Sequence, residues 1–67
     1  MKRLVAFTQL DGKKTALVAN RIIRVVDDDI SGSTKIVFRK GADHLDAIFV
    51  QETFSEVVKM INDSYKK

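Results

Sequence analysis

Apolar and polar positions alternate in short runs over the first part of the chain, and the last part changes to a helical period. Short alternating runs bounded by turn residues are typical of strands that bury one face. No link between runs has the dozen or so residues that a parallel crossover requires, so antiparallel pairing is predicted. The second and third runs are close enough to form one bent strand. The strands are predicted at residues 4–9, 14–19, 21–26, 34–40 and 47–51.

The alternation also assigns side chains to faces of the predicted sheet. In the third run, Ile22 and Val26 are predicted to face the core together. In the fourth run, Ile36 and Phe38 are predicted to face inward, which leaves Val37 on the outer side.

Three polar positions are predicted to turn the chain. Asp11-Gly12 is the strongest signal for a hairpin with a type I′ turn, in which both central residues have positive φ. Asn20 is predicted to mark a bend, because Asn tolerates the left-handed region. Residues 27–33, which begin with three consecutive Asp residues, are predicted to form a polar loop of about seven residues.

The last segment carries the signature of a capped helix over residues 54–65. Thr53 and Glu56 have the spacing of a capping box, in which each side chain accepts from the other residue's backbone N–H. Lys66 and Lys67 follow, where positive charge suits the negative end of the helix dipole. One apolar stripe at helical spacing is predicted to pack on the sheet: Phe54, Val57, Val58, Ile61 and Tyr65.

These elements predict one α+β domain over residues 1–67, rich in β structure. The predicted architecture is a small curved antiparallel sheet or barrel of four to five strands with one C-terminal helix. At 67 residues the chain buries only about 60% of the surface that its unfolded form exposes, which leaves little room for a deep cavity. The predicted core is Ile22, Val26, Ile36, Phe38, Val50, Phe54, Val57, Val58 and Ile61.

Composition and the apolar runs indicate which cellular compartment to expect for the protein. The chain has no Cys, which excludes disulfides and thiolate metal sites and fits a reducing compartment. The apolar run after the basic residues at the N-terminus is too short for a signal peptide, and no stretch approaches the length of a membrane span. We therefore expect a soluble cytoplasmic protein that does not act at a membrane.

Residues that could carry chemistry are sparse. Asp27, Asp28 and Asp29 are consecutive, whereas a calcium loop needs spaced oxygen ligands and a distal carboxylate. His44, the only His, lies in a polar connection with Asp43 and Asp46 nearby, and it lacks the partner ligands of a transition-metal site. No nucleophile and base pattern and no glycine-rich phosphate loop occurs. We expect no enzyme activity, no cofactor, no metal and no small-molecule substrate.

Charge and exposed apolar residues instead favour binding through a surface. The net charge is +3, and five basic residues are candidates for contacting nucleic acid or an acidic protein: Lys35, Arg39, Lys40, Arg21 and Arg24. Sheet-type RNA readers stack bases on exposed aromatic side chains, and here only Phe7 or Phe49 is predicted to be spare. Val37 and Phe49 lie on the second face of the predicted sheet, where barrel closure or a partner would cover them. These two residues are predicted oligomer contacts.

The function predicted from these observations is a non-catalytic binding or assembly module that acts through a protein surface. A protein partner is expected, and a second copy of the chain, forming a homodimer, is one form of it. The alternative is an accessory protein that binds nucleic acid through a basic sheet face.

Several motifs resemble the FlbD/SwrD-like proteins, small bacterial chains named for flagellar operons that also occur in phage and mobile DNA. The similar motifs are Phe7-Thr8-Gln9-Leu10-Asp11-Gly12, Asn20 before Ile22-Ile23 and Val26, Thr34-x-Ile36-x-Phe38 with Gly41, and Val50-x-Glu52-Thr53-x-x-Glu56-Val57-Val58-x-x-Ile61. The resemblance implies a similar fold and an accessory role in a bacterium or phage. Residues 41–46 and the acidic loop depart from that pattern, and no functional residue is carried over.

Overall fold

A computed structural model describes residues 3–28 and 32–65. Asp29, the N-terminal Met1-Lys2 and the predicted helix-dipole pair Lys66-Lys67 lie outside the described residues. The β-rich prediction with one C-terminal helix is confirmed. The elements are β1 (Leu4–Thr8), β2 (Lys14–Val18), a 3-10 turn (Ala19–Arg21), β3 (Ile22–Asp28), β4 (Ser33–Arg39), β5 (Leu45–Val50) and α1 (Phe54–Ser64).

The strands form two antiparallel sheets rather than one. β1 pairs with β2, and β3, β4 and β5 form a three-stranded sheet with β4 in the centre. Among the residues that the structure describes, one isolated β-bridge, between Gln9 and Val50, links the backbones of the two sheets. The described residues form no closed barrel, so the barrel alternative is wrong. The second and third runs are also not one bent strand, because the 3-10 turn sends them into different sheets.

The β1–β2 turn differs from the predicted type I′ turn. Gly12 has a φ of 90°, but Asp11 does not have positive φ. The N–H of Gly12 donates to the carbonyl of Gln9 at 2.9 Å, and the N–H of Gln9 donates to the carbonyl of Lys13 at 2.8 Å. This pattern is a three-residue hairpin loop, in which only the last residue needs the left-handed region. The Asp11 carboxylate accepts from the N–H of Lys13 at 3.0 Å and stabilises the loop.

A β-bulge in β3 overturns the predicted faces of that strand. Ile22 pairs with Phe38 and Arg24 pairs with Val37, so Ile23 is the extra residue between them. One inserted residue reverses the alternation of every side chain beyond it. Val25 therefore joins Ile22 against the core, and the predicted core residue Val26 lies on the opposite face.

Two predicted connections are shorter than expected. Asp27 and Asp28 belong to β3, where they pair with Thr34 and Ser33, so the seven-residue loop prediction is wrong. Asp has low strand propensity, but the ladder pairing here outweighs it. β5 begins at Leu45, two residues before its predicted start, because the N–H of Lys40 closes a tight connection onto the carbonyl of His44 at 2.9 Å.

The core lies between the two sheets and α1. Ile36, Val50 and Val57 are fully buried, as predicted. Phe7 is also fully buried, so its interpretation as a spare aromatic is wrong. Phe38 is only partly buried and is not a central core residue. The remaining buried apolar residues are Val5 and Ala19, and the partly buried ones that pack against the cluster are Leu17, Ile22, Val25, Ile48, Met60 and Ile61.

The capping box of α1 is confirmed. The N–H of Glu56 donates to the Thr53 hydroxyl at 3.2 Å, and the N–H of Thr53 donates to the Glu56 carboxylate at 3.1 Å. The buried part of the apolar stripe is narrower than predicted, because only Val57 of the stripe is fully buried and Ile61 packs against the core as a partly buried residue. Phe54 is 39% exposed and Tyr65 is 55% exposed, so Phe54 is not a core residue. Val58 is only partly buried.

Glu52, in the link from β5 to α1, joins the two sheets. Its carboxylate accepts from the N–H of Thr8 in β1, and its carbonyl accepts from the Thr34 hydroxyl in β4 at 2.7 Å. Burial by itself would raise the pKa of the Glu52 carboxyl. The hydrogen bonds from Thr8 and from its own N–H, with the charge of Lys14, outweigh burial and hold that pKa below its ordinary value.

Candidate functional site

The three-stranded sheet has one face against α1 and the core, and we call its opposite face the outer sheet face. Strand alternation and the register of the three strands assign its members. The side chains on the outer sheet face are Arg24, Val26, Asp28, Ser33, Lys35, Val37, Arg39, Leu45, Ala47 and Phe49.

The register places apolar and basic side chains of the outer sheet face side by side. Lys35 in the central strand is paired with Val26 on one side and with Phe49 on the other. One step along β4, Val37 is paired with Arg24 and Ala47. Cross-strand partners on one face lie about 5 Å apart at Cβ, close enough to form one surface.

Both predicted oligomer contacts lie on this face. Val37 and Phe49 are diagonal neighbours on β4 and β5. Phe49 is 39% exposed and Val37 is partly buried among its sheet neighbours. Along β5, Leu45, Ala47 and Phe49 form an apolar column, and Leu45 is 62% exposed.

The predicted basic residues do not form one continuous stripe. Arg24, Lys35 and Arg39 share the outer sheet face, but Val26 and Val37 separate them. Asp28, at the end of β3, adds one carboxylate to this face. The surface is therefore apolar with three cations and one carboxylate spread through it, rather than a track of positive charge.

The other two basic residues lie elsewhere. Lys40 follows the end of β4 and its Nζ lies 3.8 Å from a carboxylate oxygen of Asp46, in a pair whose side chains are 70% and 50% exposed. So exposed a pair contributes little to stability. Arg21 ends the 3-10 turn, and it lines a shallow pocket together with Arg39.

This basic pocket has a volume of about 360 Å³. It lies where the 3-10 turn approaches the connection between β4 and β5. Its lining residues are Asn20, Arg21, Arg39, Gly41 and Ala42.

A second depression, of about 340 Å³, adjoins the other end of the outer sheet face. It forms where the β1–β2 turn diverges from β5 after the bridge between Gln9 and Val50. Leu10, which is 55% exposed, stands in that turn beside Phe49. The lining is Gln9, Leu10, Asp11, Ala47, Ile48 and Phe49.

Leu10 was not among the residues predicted to form a binding surface. A large apolar residue directly before Asp11-Gly12 was nevertheless a usable signal. A residue inside a hairpin loop has no strand neighbour to cover it, so its side chain remains exposed.

A third, smaller groove of about 220 Å³ runs between α1 and the edge strand β3. Ile23 projects there from the bulge and is 51% exposed. The lining is Ile22, Ile23, Arg24, Val25, Val58, Ile61 and Asn62.

The residues considered for metal or acid–base chemistry are not assembled into a site within residues 3–28 and 32–65. That part of the chain contains no group of three or more His, Asp or Glu side chains placed to hold a metal ion. His44 is exposed in the connection between β4 and β5. In the same ranges, no helix has the length and apolar character needed to cross a bilayer.

Comparisons with protein-family models, with curated protein sequences and with solved structures give no match for this chain. The resemblance to the FlbD/SwrD-like proteins therefore stays a prediction.

Proposed function

We propose that the protein is a non-catalytic binding module that holds an acidic partner protein on its outer sheet face. The observation that carries the proposal is the apolar column of Leu45, Ala47 and Phe49 beside the cations Lys35 and Arg39. Protein interfaces typically combine a desolvated apolar centre with charged groups around it. An apolar surface patch with basic residues would best fit a partner that carries an apolar residue and carboxylates.

The depression beside Leu10 supports the same proposal. It continues the apolar column past Phe49 and offers a concave site for one apolar side chain of the partner. Interface hot spots are commonly anchors that fill such pockets. Phe49 would contact the anchor, and Lys35, paired with Phe49, would contact a carboxylate next to it.

The charge pattern favours an acidic partner over a second copy of the chain. In a twofold dimer through this face, the same patch meets itself. Each copy would bring three cations, Arg24, Lys35 and Arg39, against only one carboxylate, Asp28, on this face. The excess of like charge would disfavour such an interface. A homodimer is the alternative form of this proposal, and equilibrium sedimentation at tens of micromolar protein tests it.

The proposal is tested by crosslinking at two matched phenylalanines. Phe49 and Phe54 are each 39% exposed, but Phe54 lies on α1. A photo-crosslinking phenylalanine analogue is placed at either position in cells, and the captured protein is identified by mass spectrometry. We expect a specific protein from position 49 and none from position 54.

The captured partner is then purified and its affinity measured. Phe49→Ser is expected to weaken binding by about tenfold or more, and Lys35→Glu by a similar factor, as for anchor residues at other interfaces. Lys59→Glu, an exposed substitution on α1, is the matched charge control and is expected to leave affinity unchanged. Equal capture from positions 49 and 54, or equal affinity of all variants, would contradict the proposal.

Nucleic-acid binding is the second candidate, and the shared face of Arg24, Lys35 and Arg39 favours it. Phosphate contacts make affinity fall steeply with salt, by about one logarithmic unit per unit of log salt for each contact. Titration of a labelled single-stranded oligonucleotide at two salt concentrations separates the candidates. An oligonucleotide affinity that falls steeply with salt, with a slope that Arg39→Glu and Lys35→Glu both reduce, would support nucleic-acid binding. Nucleic acid would then replace a protein as the proposed partner.

We further propose, on the resemblance to the FlbD/SwrD-like proteins, that the chain is a bacterial or phage accessory protein acting in the cytoplasm. The genes that neighbour its coding sequence test this proposal. A neighbourhood of flagellar or phage genes would support it, and a setting among unrelated metabolic genes would count against it.

A further inference from the structure

Two arginines converge on one pocket although they lie 18 positions apart in the sequence. We propose that the pocket of Arg21 and Arg39 is a carboxylate-binding site, which takes an Asp or Glu side chain, or a chain-terminal carboxylate, of the partner protein. This inference rests on the proposed function and names the chemical group that the partner presents.

Ordered backbone holds both arginines in place. Arg21 ends the 3-10 turn that starts at Ala19, which is 2% exposed and donates its N–H to the carbonyl of Arg3 at 2.8 Å. Arg39 ends β4 and pairs with Leu45, just before Lys40 closes the connection to β5. The two side chains therefore start from backbone positions that cost little further ordering when a ligand binds.

The charges of this pocket are available to a ligand. Within residues 3–28 and 32–65, the guanidinium groups of Arg21 and Arg39 have no hydrogen bond and no ion pair. The neighbouring cation Lys40 already has Asp46 as its partner. The guanidinium group presents donors in a planar fork that matches the two oxygens of a carboxylate. Asn20 adds a side-chain amide to the lining, and Gly41 and Ala42 are too small to close it.

The surroundings favour a carboxylate on a protein over a nucleotide phosphate. The pocket lining contains no aromatic side chain on which a base would stack. Directly opposite Arg39 is Leu45, the first member of the apolar column. A peptide segment that covers this column would bring its own acidic side chain to Arg39.

The strand register also sets a spacing for the partner. The pair of Arg39 and Leu45 lies four residues along the strands from the pair of Lys35 and Phe49. At about 3.4 Å per residue this separation is roughly 14 Å. An extended partner segment with an apolar residue at position i and Asp or Glu at about i+4 would reach both ends.

The first test uses succinate and inorganic phosphate as probes, at constant ionic strength, observed through the Nε–Hε NMR signals of the arginines. We expect succinate to shift the signals of Arg21 and Arg39 in a saturable manner, with a dissociation constant in the millimolar range. Arg3, whose Nη1 donates to the carbonyl of Ser64 at 2.7 Å, lies away from the pocket and is the internal control, which is expected not to shift. Phosphate is expected to bind no more tightly than succinate.

Glutamine variants identify the side chains that bind succinate. Arg21→Gln and Arg39→Gln are each expected to weaken succinate binding by about fivefold or more, and Lys59→Gln, on the exposed side of α1, by less than about twofold. Equal shifts at all three arginines would indicate screening without a site and overturn the proposal. So would no saturable shift, or tighter binding of phosphate by about tenfold.

The second test is a pair of extended peptides with Phe at the first position and either Glu or Gln at the fifth. The Glu peptide is expected to bind more tightly to the unaltered protein, and Arg39→Gln is expected to abolish the difference. Loss of that difference in Phe49→Ser alone would make the apolar column the dominant contact and overturn the assigned role of the arginines. If succinate binds as expected but position 49 captures no protein in cells, the carboxylate site is retained and the proposed partner-binding function fails.

Discussion

The backbone N–H of Thr8 donates to both carboxylate oxygens of Glu52, at 2.9 and 3.0 Å, across 44 positions of the sequence. This contact fastens β1 to the link that precedes α1. Lys14 supports it, because its Nζ donates to the Thr8 hydroxyl at 2.8 Å. Glu52 therefore links the two sheets together with the bridge of Gln9 and Val50 and with Gln51, whose Nε2 donates to the carbonyl of Gln9 at 3.0 Å.

Removal of the Glu52 carboxylate is therefore expected to destabilise the protein. Glu52→Ala leaves the N–H of Thr8 without its charged acceptor, at a cost of about 1.5–3 kcal/mol in the free energy of unfolding. Urea denaturation followed by circular dichroism at pH 7 measures the change. Asp43→Asn, in the exposed connection between β4 and β5, is the control and is expected to change stability by less than about 0.5 kcal/mol.

The same contact predicts the direction of the pH dependence. Because folding lowers the pKa of Glu52, its stabilisation is present above the unfolded pKa of about 4.3 and is lost as pH falls through the lower folded pKa. Glu52→Gln cannot titrate, so its stability is expected to fall less than that of the unaltered protein between neutral and acidic pH. Parallel stability curves for the two proteins would refute the assignment.

Two phenylalanines are expected to differ sharply in their contribution to stability. Phe7 is fully buried, and Phe7→Ala is expected to cost about 3–5 kcal/mol, most of the stability of so small a domain. Phe54 is 39% exposed, and Phe54→Ala is expected to cost about 1 kcal/mol. Thermal melts of both variants provide the comparison. Similar melting temperatures would contradict the burial of Phe7 in the core.

Loss of the N-cap of α1 is expected to reduce stability by less than loss of the Phe7 side chain. Thr53→Ala removes the hydroxyl that accepts from the N–H of Glu56 and is expected to lower stability by about 1 kcal/mol. Thr53→Ser keeps the acceptor and is expected to retain nearly full stability. Chemical denaturation of both variants separates the loss of the cap from any effect of changing the side chain.

The loss of stability from a charge placed on α1 is expected to depend on how deeply the substituted residue is buried. Val57 is fully buried, so Val57→Asp buries an unpaired carboxylate and is expected to unfold the domain. Val58 is only partly buried and lines the groove beside β3, so Val58→Asp is expected to destabilise less. Lys59→Asp, on the exposed side, is expected to fold. Amide NMR spectra distinguish these three outcomes.

Local patterns in the sequence predicted the elements well, and long-range features account for the errors. The capping box of Thr53 and Glu56 is formed by neighbouring residues, and its prediction holds. The face of Val26 was wrong because a bulge at Ile23 leaves no mark in a pattern of consecutive apolar residues. Phe7 was misplaced because its burial depends on how two separate sheets pack, which alternation within one strand does not report.

For the candidate site, strand alternation correctly put Val37 on the outer side of β4. It did not reveal the pairing of Lys35 with Phe49, since the register between strands depends on the connections at both ends. The proximity of Arg21 and Arg39 was also not predicted from the sequence, because the 3-10 turn that contains Arg21 was interpreted as a simple bend at Asn20.

The full burial of Phe7 has a consequence for how the chain folds. The ring comes from the small β1–β2 hairpin, but it fills the space among Ile36, Val50 and Val57, which belong to the rest of the molecule. A cut within residues 19–21 would separate the β1–β2 hairpin from the rest of the chain. Neither piece contains a complete apolar core, so each is expected to be unstructured in isolation. Mixing the two pieces is expected to restore structure by reassociation, and the intact chain is expected to unfold in one cooperative step.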